Sequence, residues 1–294
     1  MQLKIFKPLW GHDGTVEDAI HQAVAAEFDG IEGQVPEDKD ERSRLKDQLA
    51  AADLEMIAEI YTGGWYVPSP HATPADHLKD LRKGLERSLP MHPLFVNTQT
   101  GLDAWPLKVQ VDYFRQLIEL EAEFQTTITV ETHRSRSTYN PWVTAELIRE
   151  LPDLKLNLDF SHWCCVAERL VMNNDPDLLK SFGQNCWHLH ARVGYDQGPQ
   201  VPDPRAPEYF EAVSAHLDWW KQMWACLALR GFQTITMTPE FGTDGYLHLQ
   251  PYTQEPVADL WDVNQWMGRE LRQVFSGWCE DSTPHHHSTP SSEG

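Results

Sequence analysis

The sequence predicts an α/β protein folded as a single (β/α)8 TIM barrel with a short disordered C-terminal tail. Three observations carry that prediction. Strand-like and helix-like segments alternate throughout the chain, eight of each, as a closed parallel barrel requires when every strand is buried on both sides and every crossover is helical. The chain has 294 residues, and a barrel of roughly 250 residues is one domain. Four runs from Ile128 onward each end in side chains able to hold a metal. A doubly wound open sheet is the alternative, but no GxGxxG follows the first strand, so its dinucleotide-binding version has no support.

The elements follow in order. Leu3 to Lys7 is strand-like, and Thr15 to Phe28 has helical spacing through Val16, Ile20, Ala23 and Val24. Asp29 to Glu32 reads as a short strand, Asp38 to Asp53 as a charged helix and Leu54 to Tyr61 as a strand. Thr73 to Leu89 is a helix opened by Pro74 in its first turn, Leu94 to Asn97 a strand, and Pro106 to Phe124 a helix whose apolar stripe is Leu107, Val111, Phe114 and Ile118. The four metal-capable runs are Ile128 to Arg134, Leu156 to His162, Trp187 to Arg192 and Ile235 to Gly242. Helices are expected between them at Pro141 to Leu151, Pro176 to Phe182 and Pro207 to Leu229, and a last one at Pro256 to Phe275. The barrel is assigned residues 1–280 and the tail residues 281–294, where His285, His286 and His287 stand among Ser, Thr, Pro and Gly.

Composition narrows the class. Apolar residues make up 41% and charged residues 23%, as in an ordinary globular protein, and no apolar run approaches the roughly 20 residues that span a bilayer. The N-terminus reads as a first strand rather than a secretory signal. The five cysteines are odd in number, with Cys164 and Cys165 adjacent and no CxxC, which suits a reducing compartment. A cytoplasmic location is expected. The formal charge of −20 argues against a nucleic-acid groove, which needs clustered Lys and Arg, and favours attraction of a divalent cation.

A charge at the end of a buried strand is costly unless something pairs or binds it. A lone acid there is more often a salt-bridge partner or a helix cap. Glu131, Asp159 and His190 fall on successive strands of the repeat, however, and Glu240 on the last, so all four meet at the C-terminal mouth, where barrel enzymes keep their active sites. Three carboxylates and one imidazole suit Mn²⁺, Mg²⁺ or Co²⁺ better than a thiolate-seeking ion, with Zn²⁺ still compatible. His188 lies two positions before His190 on the same strand face, so either histidine is a candidate ligand.

Around these four, Trp10 and His12 follow the first strand, Trp65 and Tyr66 the third, and Trp163 follows Asp159. Their rings are placed to stack on a bound molecule or exclude water, or else to pack helices on the barrel. Gln197 to Arg205 is too proline-rich for helix and is a candidate lid. Strand alternation turns His133 to the side of Glu131 and Arg134 away.

The chain resembles the xylose isomerase-like TIM-barrel superfamily of sugar isomerases and epimerases. The likeness runs from about Leu3 to Phe275. Asp159-Phe160-Ser161-His162 looks like the family's DxxH, His188-Leu189-His190 like its HxH, and Glu131 and Glu240 fall on its two ligand strands. The resemblance implies that His190 is the ligand and that His162 and Arg192 contact substrate oxygens.

One divalent cation, held by Glu131, Asp159, His190 and Glu240, would acidify the α-proton of a ketose or related hydroxy-keto compound and stabilise the enediolate left behind. Glu131 and Glu240 would exchange the protons, while His162, Arg192, His133 and Trp10 bind substrate. The bland readings are that His162 orients a ligand carboxylate and that Arg192 pairs with Asp196 or another acid. An inosose dehydratase-type lyase uses the same chemistry, and a non-catalytic metal-binding barrel is the remaining alternative. The family's endonuclease branch needs more His and Asp ligands than this chain offers. The expected partner is a small sugar, with no nucleic acid and no membrane; a homo-oligomer is compatible with the sequence.

Overall fold

The computed structural model describes residues 1–243 and 245–282. Eight strands close in sequence order into one parallel barrel: β1 (Gln2–Pro8), β2 (Gly30–Gln34), β3 (Glu55–Tyr61), β4 (Val96–Gln99), β5 (Ile128–Glu131), β6 (Lys155–Leu158), β7 (Cys186–His190) and β8 (Thr234–Thr238). The helices outside it are α1 (Val16–Ala25), α2 (Lys39–Ala51), α3 (Pro74–Ser88), α4 (Leu107–Phe124), α5 (Pro141–Glu150), α6 (Phe160–Val166), α7 (Pro176–Ser181), α8 (Phe210–Leu229) and α9 (Leu260–Ser282). The barrel closes where β1 pairs with β8, Gln2 opposite Thr234. No described helix is long and apolar enough to cross a membrane.

Local chemistry sets the helix starts. Thr15 and Thr73 cap α1 and α3 through reciprocal bonds with Asp18 and Asp76, and Pro74 opens α3 as its first-turn position predicts. Asn140 accepts from Val143 N ahead of Pro141. Two expectations change. The run Leu156 to His162 is strand only to Leu158, because Asp159 accepts a hydrogen bond from Ser161 N and starts α6 at Phe160. The last helix begins at Leu260 rather than Pro256, whose residue pairs with Leu249 in an isolated bridge. It also runs on to Ser282, past the expected Phe275, since Trp278 packs on Trp224 and Phe275. The rest of the expected tail lies outside the described residues.

Most apolar side chains fill the layer between strands and helices, with Trp163, Trp219, Trp220 and Trp224 among the largest fully buried ones. Inside the barrel the picture differs. Phe6, Ile57 and Phe95 form a small apolar cluster of their own, and Phe95 lies against the ring of His188. Beyond them the interior is polar, with Glu32, Asn97, Thr129, Asn157 and His188 all buried. The wall is tight at the base: a Cβ on Gly30 would stand 2.3 Å from Glu55 O and 2.6 Å from Phe6 Cε1. Gly30→Ala should therefore cost about 1–3 kcal/mol in urea unfolding, through overpacking of β2 against β3. An unchanged midpoint would show that the register yields freely there.

Candidate metal centre and active site

Four side chains reach one point at the C-terminal mouth. Glu131 closes β5, Asp159 caps α6 directly after β6, His190 closes β7, and Glu240 follows β8. All four are buried, and one ligand atom from each lies within 4.8 Å of the others. His190 Nδ1 is 2.8 Å from Glu240 Oε2 and 3.6 Å from Glu131 Oε2. Despite that proximity, neither His190 Nδ1 nor Glu240 Oε2 has a hydrogen-bond partner. The approach brings the atoms close without the alignment a hydrogen bond needs. Unsatisfied donor atoms on a buried imidazole and carboxylate, beside two more carboxylates, fit a divalent cation.

The strand below explains why His190 points this way. Its Nε2 lies 3.1 Å from Glu32 Oε1, on β2, which leaves Nδ1 directed at the cluster. His188 is engaged at both nitrogens: Nδ1 with Thr236 Oγ1 at 2.7 Å, and Nε2 with Glu32 Oε2 at 3.2 Å and Thr238 Oγ1 at 3.1 Å. So His190 stands in the four-residue cluster and His188 beneath it. Asn97 Nδ2 donates to both Glu32 and Glu131 at 3.2 Å, and Gln99 Nε2 donates to Glu131. Sequence reasoning missed Glu32 and Glu59, although both stand on predicted strands and the rule that selected Glu131 applies to them equally.

Arg192 is fully buried and does not pair with Asp196. Its Nη2 bonds Asp159 Oδ2 and lies 3.5 Å from Glu240 Oε2, and its Nε donates to Ser161 Oγ at 3.1 Å. His162 Nε2 is 2.6 Å from Arg192 Nη2, while its Nδ1 has no partner. His133 lies beside it with ring centroids 4.0 Å apart. Because β5 ends at Glu131, strand alternation does not govern the residues beyond, and Arg134 comes over the Tyr246 ring at 4.7 Å rather than turning away. Trp163 is in the helix layer, donating to Thr138 O and packing on Phe182. The segment Gln197 to Arg205 is pinned by Gln200, which exchanges two hydrogen bonds with the Gly242 backbone.

The roof is aromatic. Trp10 meets Tyr246 edge-on at 5.0 Å, and both rings face the Arg192 guanidinium. Gly242 makes room for Trp10, since a Cβ there would fall 1.9 Å from the indole. Trp10, Tyr61, Tyr66, Gln99, His133, Arg192, Glu240 and Tyr246 enclose about 10 Å³, on the order of a single water. A substrate enters only if this roof moves.

Burial and neighbouring charges separate the acids. Burial pushes Glu131 up, but His190 and His133 outweigh it and hold the carboxyl at about 2. Burial dominates at Glu240, with Glu131 adding to it, and pushes it up to about 7. Glu59 is raised well above the usual range by burial and then by Glu240, Glu131 and Glu32. Desolvation carries His133 down to about 3 and His162 well below its ordinary value, so both are neutral acceptors or donors near pH 7. His190 moves the other way: against desolvation, Glu240, Glu32 and Glu131 raise it well above normal.

Glu32→Leu removes the acceptor for both histidines and for Asn97. It should cost about 3–5 kcal/mol in unfolding and weaken divalent-ion binding about 10–100-fold in calorimetric titration. Unchanged ion affinity would show that His190 needs no such support.

The family model for the xylose isomerase-like TIM barrel matches residues 20–192. No curated protein matches the chain in sequence. Among solved structures, the 3-keto-D-glucoside 4-epimerase YcjR of E. coli superposes with a TM-score of 0.62 at 14% identity, over 92% of this chain and 100% of that one. The IOLI protein with a bound zinc atom gives 0.62 at 14% identity, over 95% and 99%. The probable 3-DHS dehydratase AsbF of Bacillus anthracis gives 0.60 at 17% identity, over 92% and 99%. At these identities the likeness is one of fold. With the closed eight-stranded barrel and the matched segment together, the chain belongs to the xylose isomerase-like TIM-barrel family.

Proposed function

We propose that the protein is a divalent-metal-dependent sugar isomerase or epimerase acting on a ketose or related hydroxy-keto compound. The observation that carries this reading is the cluster of Glu131, Asp159, His190 and Glu240, in which two buried donor atoms lack any hydrogen-bond partner. These four residues would hold Mn²⁺, Mg²⁺ or Co²⁺, with Zn²⁺ also compatible with the donor set. Such an ion, when bound, polarises a substrate carbonyl and stabilises the charge left by loss of the neighbouring proton.

The chain's own residues supply the rest. Glu131 and Glu240 are the proposed proton carriers and would exchange protons with the substrate. His162 Nδ1, buried without a partner, is free to bond a substrate oxygen. Arg192 keeps Asp159 neutralised while its guanidinium lines the cavity, and His133 and Trp10 complete the substrate wall. The neighbouring structures whose names denote an epimerase or a dehydratase support a carbohydrate-like substrate only by analogy of fold.

A second reading, dehydration of a keto-sugar or inosose, is favoured by Glu59. Burial and the neighbouring Glu240, Glu131 and Glu32 push its carboxyl well above the usual range, and its Oε1 lacks a partner. A neutral acid in that position could protonate a departing hydroxyl.

Metal-reconstituted protein incubated with ketoses, aldoses and inososes in D₂O tests the assignment. Deuterium at one carbon of a recovered sugar supports isomerisation or epimerisation, and loss of water supports the lyase. No exchange with any substrate class overturns both.

Asp159→Ala should abolish stoichiometric ion binding, measured by elemental analysis after dialysis, because it removes one carboxylate of the four. Glu131→Gln and Glu240→Gln, loaded with metal, should lose at least about 10²-fold in rate. Proton exchange at the wild-type rate in both variants would reduce the carboxylates to a cage. Arg192→Ala should raise KM, an effect read from the same kinetics.

A further inference from the structure

A second cavity adjoins the first. Trp10 is a wall of both, and on its far side a cleft of about 560 Å³ opens between the ends of β1 and β8 and the start of α9. That volume suits a small-molecule site. Lys7, Trp10, His12, Gln22, Asp259 and Trp261 are among its lining residues.

Lys7 is the unexpected one. On β1 the residues at its period, Leu3 and Ile5, belong to the large apolar core, yet Lys7 places an amine in that layer, 3% exposed. Its Nζ sits 4.2 Å from the centre of the Trp261 ring. Among the described residues it makes no hydrogen bond and no ion pair. Asp13 and Asp259 also line the cleft, but neither moves the Lys7 amine, whose pKa falls to about 8 through burial alone. Gln22 Oε1, in the same cleft, is buried without a hydrogen-bond partner. A buried amine with no counter-charge is costly unless a ligand supplies one.

We propose that this cleft is a distal subsite in which Lys7 Nζ pairs with a carboxylate on the substrate, Gln22 Oε1 accepts from a hydroxyl of the same molecule, and Trp10 separates this end from the reacting end. The ligand is a sugar acid or a glycosyl unit bearing one. Asp13 and Asp259 in the same lining disfavour a phosphate, which carries nearly two charges. The assignment rests on the proposed sugar chemistry only for the hydroxylated nature of the ligand.

The test is binding without turnover. The full chain, kept in chelator so that no ion can bind the carboxylate, is titrated calorimetrically with D-glucuronate, D-glucose and inorganic phosphate. D-Glucuronate should bind at least about tenfold more tightly than either, as expected for a charge-assisted pair, and Lys7→Met should erase the preference. Because that variant removes an unpaired buried charge, its thermal midpoint should rise, so loss of binding cannot be put down to unfolding.

In wild-type protein, cyanate modification of Lys7, followed by mass spectrometry, should slow at least about tenfold with saturating D-glucuronate and not with D-glucose. Equal binding of acid and neutral sugar, tighter binding of phosphate, a preference that survives Lys7→Met, or unprotected Lys7 would each overturn the proposal. Since no metal and no catalysis are involved, failure here leaves the isomerase reading standing. Failure of the D₂O experiment likewise leaves this subsite standing.

Discussion

Five carboxylates are buried at or below the mouth of this barrel, Glu32, Glu59, Glu131, Asp159 and Glu240, and Arg192 is buried among them. Isolated charges do not persist in such surroundings; they neutralise, pair or bind ions. The protein visibly uses two of these devices. Burial and its acidic neighbours push Glu59 well above the usual range, Asp159 is paired to Arg192, and Glu32 and Glu131 are held ionised by His188 and His190. The charge that remains is concentrated where Glu240 and Glu131 face His190 Nδ1. A divalent cation, the proposed occupant, would complete the neutralisation in the place where substrate would arrive.

That arrangement depends on the layer beneath it. Parallel barrels of this kind fill their interior with branched apolar side chains, and here only the small Phe6, Ile57 and Phe95 cluster follows that habit. Above it Glu32 accepts from His188, His190, Asn97 and Thr238, so one carboxylate on β2 fixes side chains from β4, β7 and β8. A carboxylate bonded to four neighbours is held rigidly, because rotating it breaks several bonds at once. Precision at the mouth is inherited from this network, which sets which nitrogen of His190 faces upward.

The upper side of the site is arranged differently. Trp10, Tyr66 and Tyr246 come from loops after three different strands and line the cavity, Trp10 and Tyr246 in ring contact, with Gly242 leaving space for the indole. Ring packing is less directional than a hydrogen-bond network and gives way at lower cost. The rigid floor orients the reacting groups, and the roof is the part able to open. Trp10, shared by both cavities, couples the opening of one to the shape of the other.

Much of this was legible in the chain. Alternating periods pointed to a barrel, capping residues and Pro74 located helix starts, and metal-capable side chains at strand ends singled out Glu131, Asp159, His190 and Glu240, because strand direction and period are local properties. What the chain could not reveal depended on neighbours distant in sequence. The boundary at Asp159 turned on a cap that competed with continued strand, and the reach of Arg134 on the early end of β5. Arg192 pairs with Asp159 and not with Asp196, because the closed barrel buries Arg192 and Asp159 together. The placement of His190 in the cluster with His188 beneath it, and the contribution of Glu32, came from hydrogen bonds across the barrel. Periodicity says that a side chain is inside; only the closed barrel says what it meets there, and for a buried charge that meeting sets its protonation and its chemistry.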